Sequence, residues 1–205
     1  MKKHLLFALT LTLSTFAFAQ TETIFSNEAS YGGFGGPILE FSSINGSLIG
    51  DVGGGGAFSV NDFFFGGYGM GNDASSVEFE NQKYDIDFDH GGLWFGYAFK
   101  GNKMVHLYSS FKVGWGSAKL KVNDEKRFDD NLLALSPDIG IELNITNWFK
   151  LGITGGYRFV SGITDLPVLT DDDFSGITNA LTFRFGGFGD YESYESRRNK
   201  IEEDF

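Results

Sequence analysis

Seven charged residues fall where an alternating sequence would gather them on one side of a sheet. Glu40, Asp51, Lys112, Asp138, Glu142, Arg158 and Arg184 all take the parity opposite to the apolar residues around them. Lys112 lies between Phe111 and Val113, Asp138 and Glu142 alternate with Ile139, Ile141 and Leu143, Arg158 separates Tyr157 from Phe159, and Arg184 separates Phe183 from Phe185. Four carboxylates and three cations shielded from water have to pair, because isolated desolvated charge is very costly. The chemistry on offer is a network of ion pairs that closes an interior, or the lining of a narrow polar path.

Other reactive groups are sparse. Beyond the first twenty residues the chain has two histidines, His90 and His106. A hydrolase acting on membrane lipid needs a His near a Ser and an acid on the lipid-facing side. Both histidines take the inward parity, and the outward Ser109 has no outward His beside it, so no catalytic residue is assigned. Two isolated histidines make a poor metal site, and the absence of Cys removes thiol nucleophiles, disulfides and thiolate metal ligands. No metal and no cofactor is expected. Acids concentrate in three stretches: residues 72–90 carry a net −5, 122–131 a net −2 and 162–173 a net −4. Hard oxygen ligands suit Ca²⁺ or Mg²⁺ bridging to anionic lipopolysaccharide, but no stretch has a calcium-loop spacing, and a solvated rim explains the same charges.

The elements that must position these residues are strands. Leu133 to Ile145 alternates for 13 residues, Val105 to Ser117 repeats the pattern, and Leu93, Phe95, Tyr97 and Phe99 form a further apolar face. Eight strands are expected at 36–46, 47–60, 63–71, 84–99, 104–121, 132–146, 150–161 and 174–186, or ten if the long connections hide a hairpin. Short turns (Asn61-Asp62, Lys100 to Lys103, Asn147 to Phe149) alternate with long connections at 72–83, 122–131 and 162–173, and Asn45-Gly46 makes a tight turn. Short turns on one rim and long loops on the other describe an eight-stranded antiparallel up-and-down transmembrane β-barrel of an outer membrane, with both termini on the short-turn, periplasmic side. Phe63, Phe64, Phe65, Phe99, Trp148, Phe149, Phe183 and Phe185 cluster at that rim, as a periplasmic aromatic girdle would. A soluble sandwich or cup is the competing fold, but the non-apolar faces are mostly glycine, hydroxyl and paired charge, more like a narrow lumen than a wetted surface. Pro137 interrupts the best strand and predicts a bulge.

Composition agrees. The 205 residues include 29 Gly and 23 Phe, with a formal charge of −11, a balance that argues against nucleic acid as partner. A mean hydropathy of −0.12 excludes a bundle of membrane helices, though not a barrel. Met1-Lys2-Lys3, the apolar Leu5 to Leu13 and Ala17-Phe18-Ala19 have the layout of a secretory signal peptide cut after residue 19. Its loss takes Lys2 and Lys3 and brings the charge to −13. The expected divisions are a signal peptide at 1–19, a periplasmic segment at 20–35, the barrel at 36–188 and a charged periplasmic tail at 189–205.

Gly32-Gly33-Phe34-Gly35-Gly36-Pro37, Gly53 to Gly56, Gly66-Gly67-Tyr68, Gly155-Gly156-Tyr157-Arg158-Phe159 and Phe185-Gly186-Gly187-Phe188 resemble small outer-membrane β-barrel proteins of Bacteroidota over about residues 31–188. The architecture is also similar to the eight-stranded barrels of major outer-membrane structural and adhesion-type proteins, without the peptidoglycan-binding domain that some of those carry. The aromatic insertion signal of such barrels corresponds here to Leu181-x-Phe183-x-Phe185, internal to the chain. The resemblance implies an outer-membrane location and a barrel fold, and supplies no catalytic residues. The expected role is structural or surface-interacting, with outer-membrane lipid and lipopolysaccharide as partners. A narrow channel for ions or very small solutes is the alternative, and a lipid-modifying enzyme a further one.

Overall fold

A computed structural model describes residues 29–189 other than Asn45 and Asp124. The expected signal peptide, and the charged tail beyond Gly189, lie outside the described residues. Eight antiparallel strands, β1 (Tyr31–Ile44), β2 (Ser47–Val60), β3 (Phe63–Phe79), β4 (Gln82–Phe99), β5 (Val105–Val122), β6 (Glu125–Thr146), β7 (Phe149–Ser161) and β8 (Gly176–Gly187), pair in sequence order, and β8 returns to β1. The protein is an eight-stranded up-and-down transmembrane β-barrel. β1 begins at Tyr31, so residues 31–35, expected in a periplasmic segment, belong to the barrel.

Two expected loops are strands. Residues 72–79 and 82–83 continue β3 and β4, and 125–131 begins β6. Glu80 and Asn81 close β3 on β4 with φ of 50° and 61°, the left-handed pair that matches the twist of a two-residue hairpin. The count among the described residues is eight, not ten. The β3–β6 sheet consequently stands taller than its neighbours: pairing of β2 with β3 stops at Val52↔Gly71, and that of β6 with β7 at Leu133↔Ser161. One true loop remains on this rim, between β7 and β8, and it carries the one-turn helix α1 (Asp171–Phe174).

Pro137 produces no bulge. It pairs with Phe111 on β5, and on the β7 side the ladder breaks between Leu135↔Phe159 and Asp138↔Gly156 without a change of register. The missing N–H removes a ladder bond, and the closed barrel holds the strand in line. Register shifts occur instead at Asn72/Ser75, Leu120/Lys121 and Asn144/Thr146.

The exterior is apolar. Val105, Leu107, Phe111, Trp115, Ile139, Ile141, Ile153, Phe159 and Ile177 are among the large exposed side chains, far more than a wetted surface carries as one patch. Ten residue steps from Val105 to Trp115, at ~3.3 Å each and tilted about 40°, give a band of roughly 25 Å, the height a membrane barrel needs. Above it the row Asp89↔Ser117↔Asn131 turns polar, and Lys119–Asp89 (2.8 Å) and Lys121–Asp87 (2.5 Å) pair on the outside.

Glycine divides the two faces by what it leaves room for. A Cβ on inward Gly96 would collide with the Phe64 ring, whereas outward Gly69 has nothing within 4 Å. Gly96→Val should therefore overpack the lumen and destabilise the barrel by about 1–3 kcal/mol, while Gly69→Ala should change stability by less than about 0.5 kcal/mol. Urea midpoints of the two refolded variants check this, and equal midpoints would contradict it.

Candidate functional site

The site is the lumen, and its composition follows from parity: each strand sends alternate residues inward, and eight strands leave a space that side chains can fill. All seven charged residues expected there are buried: Glu40, Asp51, Lys112, Asp138, Glu142, Arg158 and Arg184. They divide into two groups at different heights.

The upper group joins five of them. Lys112 Nζ meets Glu40 Oε2 at 2.7 Å and Asp138 Oδ2 at 3.3 Å. Arg158 Nη1 meets Asp51 Oδ2 at 2.6 Å and Glu40 Oε1 at 3.4 Å. Its Nη2 donates to Ser42 Oγ at 2.9 Å and its Nε to the Phe174 carbonyl at 3.1 Å. Asn72 donates to Asp51, and Ser110 to Asp138 Oδ2 at 3.1 Å. The arginine is fully buried, with its guanidinium 4.7 Å from the Phe88 ring centroid.

The lower group centres on Glu142, which pairs with Arg184, with His106 Nε2 at 3.0 Å and with Lys150 Nζ at 3.6 Å. Arg184 is walled by aromatic rings, its guanidinium carbon 3.9 Å from the Phe34 centroid and 4.9 Å from that of Phe64. Lys150, which the sequence reading omitted, is the fourth lumen cation. Its parity is that of Gly152, Thr154 and Arg158, so the signal was present.

Both histidines point inward: His90 Nδ1 lies 3.0 Å from Tyr68 Oη, and His106 Nδ1 lies 3.0 Å from the Lys103 carbonyl oxygen. No cluster of three or more His, Cys, Asp or Glu suited to a metal is found among the described residues.

Apolar side chains close both ends. Phe188, just past β8, turns in beneath Phe34 and Lys150, with ring centres 5.7 Å apart in the Phe pair and Lys150 Nζ 4.3 Å from the Phe188 ring. At the other end the β7–β8 loop, expected as a solvated acidic segment, buries Ile163, Leu166, Leu169 and Phe174 in the mouth. Phe174 stacks on Phe88 at 5.3 Å. The acids between those apolar residues give the segment the composition of a solvated loop. Several of these acids have structural duties: Asp171 Oδ1 accepts the Ile163 amide at 2.7 Å, and Asp173 Oδ2 accepts the Thr170 amide at 2.8 Å.

At the short-turn rim, Phe63, Phe65, Phe99, Trp148 and Phe185 are exposed on the outside. Phe149 and Phe183 are half-buried among them, with Phe149 stacked on Phe185 at 4.8 Å. Phe64 differs: parity turns it into the lumen, where it is 1% exposed.

No protein-family model matches the chain, and no curated protein matches it in sequence. Among solved structures, Neisserial surface protein A shares 12% identity at a TM-score of 0.54, over 77% of this chain and 96% of that one. Ail, the attachment invasion locus protein of Yersinia pestis, solved with the heparin analogue sucrose octasulfate, shares 18% identity at a TM-score of 0.39, over 77% and 95%. The likeness to the Neisserial protein is one of fold.

The loop is latched by Asp130. Its Oδ2 accepts the backbone amides of Thr164 and Asp165, each at 2.6 Å. The amides of Asp165 and Thr164, in that order, hold its carboxyl below the usual carboxylate range. A lowered pKa contributes stability that is present above the ordinary value of about 3.9 and is lost as pH falls through the folded value. The amide resonances of Thr164 and Asp165 should therefore shift together in acid, with a midpoint below about 3.9, and should lose that step in Asp130→Asn. A midpoint at or above the ordinary value would contradict the latch.

Proposed function

We propose that this protein is a non-enzymatic barrel of the outer membrane with a structural or surface-interaction role. The observation that carries this reading is the filled lumen: two ion-pair groups, an aromatic layer between them, and apolar closures at both ends leave the interior to side chains. A diffusion pore needs a continuous wet path, and a lipid-modifying enzyme needs its His on the lipid side, whereas His90 and His106 are bonded inside.

In this reading the short-turn rim and both termini face the periplasm, and Phe63, Phe65, Phe99, Trp148, Phe149, Phe183 and Phe185 anchor the barrel at the lipid interface. The tall β3–β6 sheet and the β7–β8 loop face outside. The partners are outer-membrane lipid along the apolar band and lipopolysaccharide at the charged collar. The mature chain is exported through cleavage of the N-terminal signal peptide.

Two measurements test it. In outer-membrane fractions the unboiled protein should run as a folded band that shifts on boiling; recovery as a soluble periplasmic protein without that shift would overturn the location. In planar bilayers the purified protein should give no steady, reproducible openings. Regular single-channel steps would overturn the structural reading in favour of a narrow channel.

A further inference from the structure

Among the described residues the lumen charges balance overall but not within each group. Four carboxylates face four cations once Lys150 is counted, yet the upper group holds Glu40, Asp51 and Asp138 against Lys112 and Arg158, a formal −1. The compensating excess lies with Arg184 and Lys150 around Glu142. Asp138 and Glu142 are four residues apart on β6, roughly 13 Å at ~3.3 Å per residue. A low-dielectric interior makes a local deficit over that distance costly.

Asp138 is where the deficit is visible. Both of its contacts, from Ser110 and Lys112, go to Oδ2, and Oδ1 has no hydrogen-bond partner among the described residues, although Asp138 is only 6% exposed. Oδ1 lies 2.5 Å from the place a Cβ on Gly156 would take. The carboxylate therefore leans across Gly156 toward β8, where the row Asp138↔Gly156↔Thr178 ends. Thr178 Oγ1 is also unpartnered and fully buried. Two orphaned oxygens on either side of Gly156, next to a group one positive charge short, are an arrangement buried polar atoms do not ordinarily keep.

We propose that this patch binds one small monovalent cation, Na⁺ or K⁺, between Asp138 Oδ1 and the hydroxyl oxygen of Thr178 across Gly156. Hard oxygen donors suit an alkali ion, and a single charge completes the upper group where a divalent ion would reverse its sign. Glycine at 156 is what keeps the wall open for the carboxylate to reach it. The bound ion fixes the barrel wall rather than passing through it.

The test uses the full-length mature protein refolded in detergent, with its unfolding midpoint followed in NaCl, KCl and N-methyl-D-glucamine chloride at equal ionic strength. At least one alkali salt should raise the midpoint over the organic cation by about 2–4 °C. Asp138→Asn should remove that difference. Thr178→Val, which keeps every charge, should reduce it, and serves if the first variant does not fold. Crystals grown with Rb⁺ or Tl⁺ should show an anomalous peak within bonding distance of Asp138 Oδ1. Equal midpoints in all three salts, or no peak at that oxygen, would overturn the site and leave a proton or water as what meets Asp138.

Discussion

Charge inside an eight-stranded barrel has to be paired, and the rest of this structure depends on that requirement. The interior is about as wide as the side chains that fill it, so a buried arginine cannot reach bulk water. Arg158 shows the outcome: two carboxylates, a hydroxyl and a backbone carbonyl converge on one guanidinium. The carbonyl belongs to Phe174, in the loop that closes the mouth. The same residue that binds β7 to β1 and β2 thus also holds the closure in place, linking loop position to the ion pairs beneath it.

Glycine and aromatic residues make the pairing geometrically possible. Phe34, Phe64, Trp94 and Tyr108 form a layer between the two charged groups, with Phe64 and Trp94 centroids 5.1 Å apart. Rings of this size fit only where the facing wall carries no side chain, as at Gly96 under Phe64 and Gly114 under Tyr68. The abundance of glycine and phenylalanine in the composition is therefore one feature, bulk on one strand matched by its absence on the next. Outside, the same strands present a predominantly apolar band to lipid.

Much of this was legible in the sequence because a strand's period of two assigns every residue a side. That rule placed all seven charged residues and both histidines inside, and the short turns gave the strand order. It failed where a different constraint governed. Lys150 has the inward parity but adjoins the Asn147-Trp148-Phe149 turn, where a lysine reads as solvated. Phe64 was grouped with its outward neighbours Phe63 and Phe65 by composition, against its own parity. Residues 72–83 and 122–131 looked like loops because acids are poor strand formers; lysines opposite them in the ladder, in the pairs Glu78↔Lys83 and Asp129↔Lys119, offset them. The closure by Ile163, Leu166, Leu169 and Phe174 is tertiary, set by the shape of the mouth, and no local periodicity reports it. Pro137 shows the reverse: a local rule predicted a bulge that barrel closure overrode.

Ion pairs hold the lumen shut, and the most direct measurement of this is the stability of Arg158→Met in urea, alone and combined with Asp51→Leu. Removing the guanidinium leaves Asp51 without its cation in the interior, so the single variant should lose about 3–5 kcal/mol. The double variant should recover part of that loss, because the stranded carboxylate is gone. A single variant as stable as the parent protein would contradict the account, since the pairs would then be incidental to what closes the barrel.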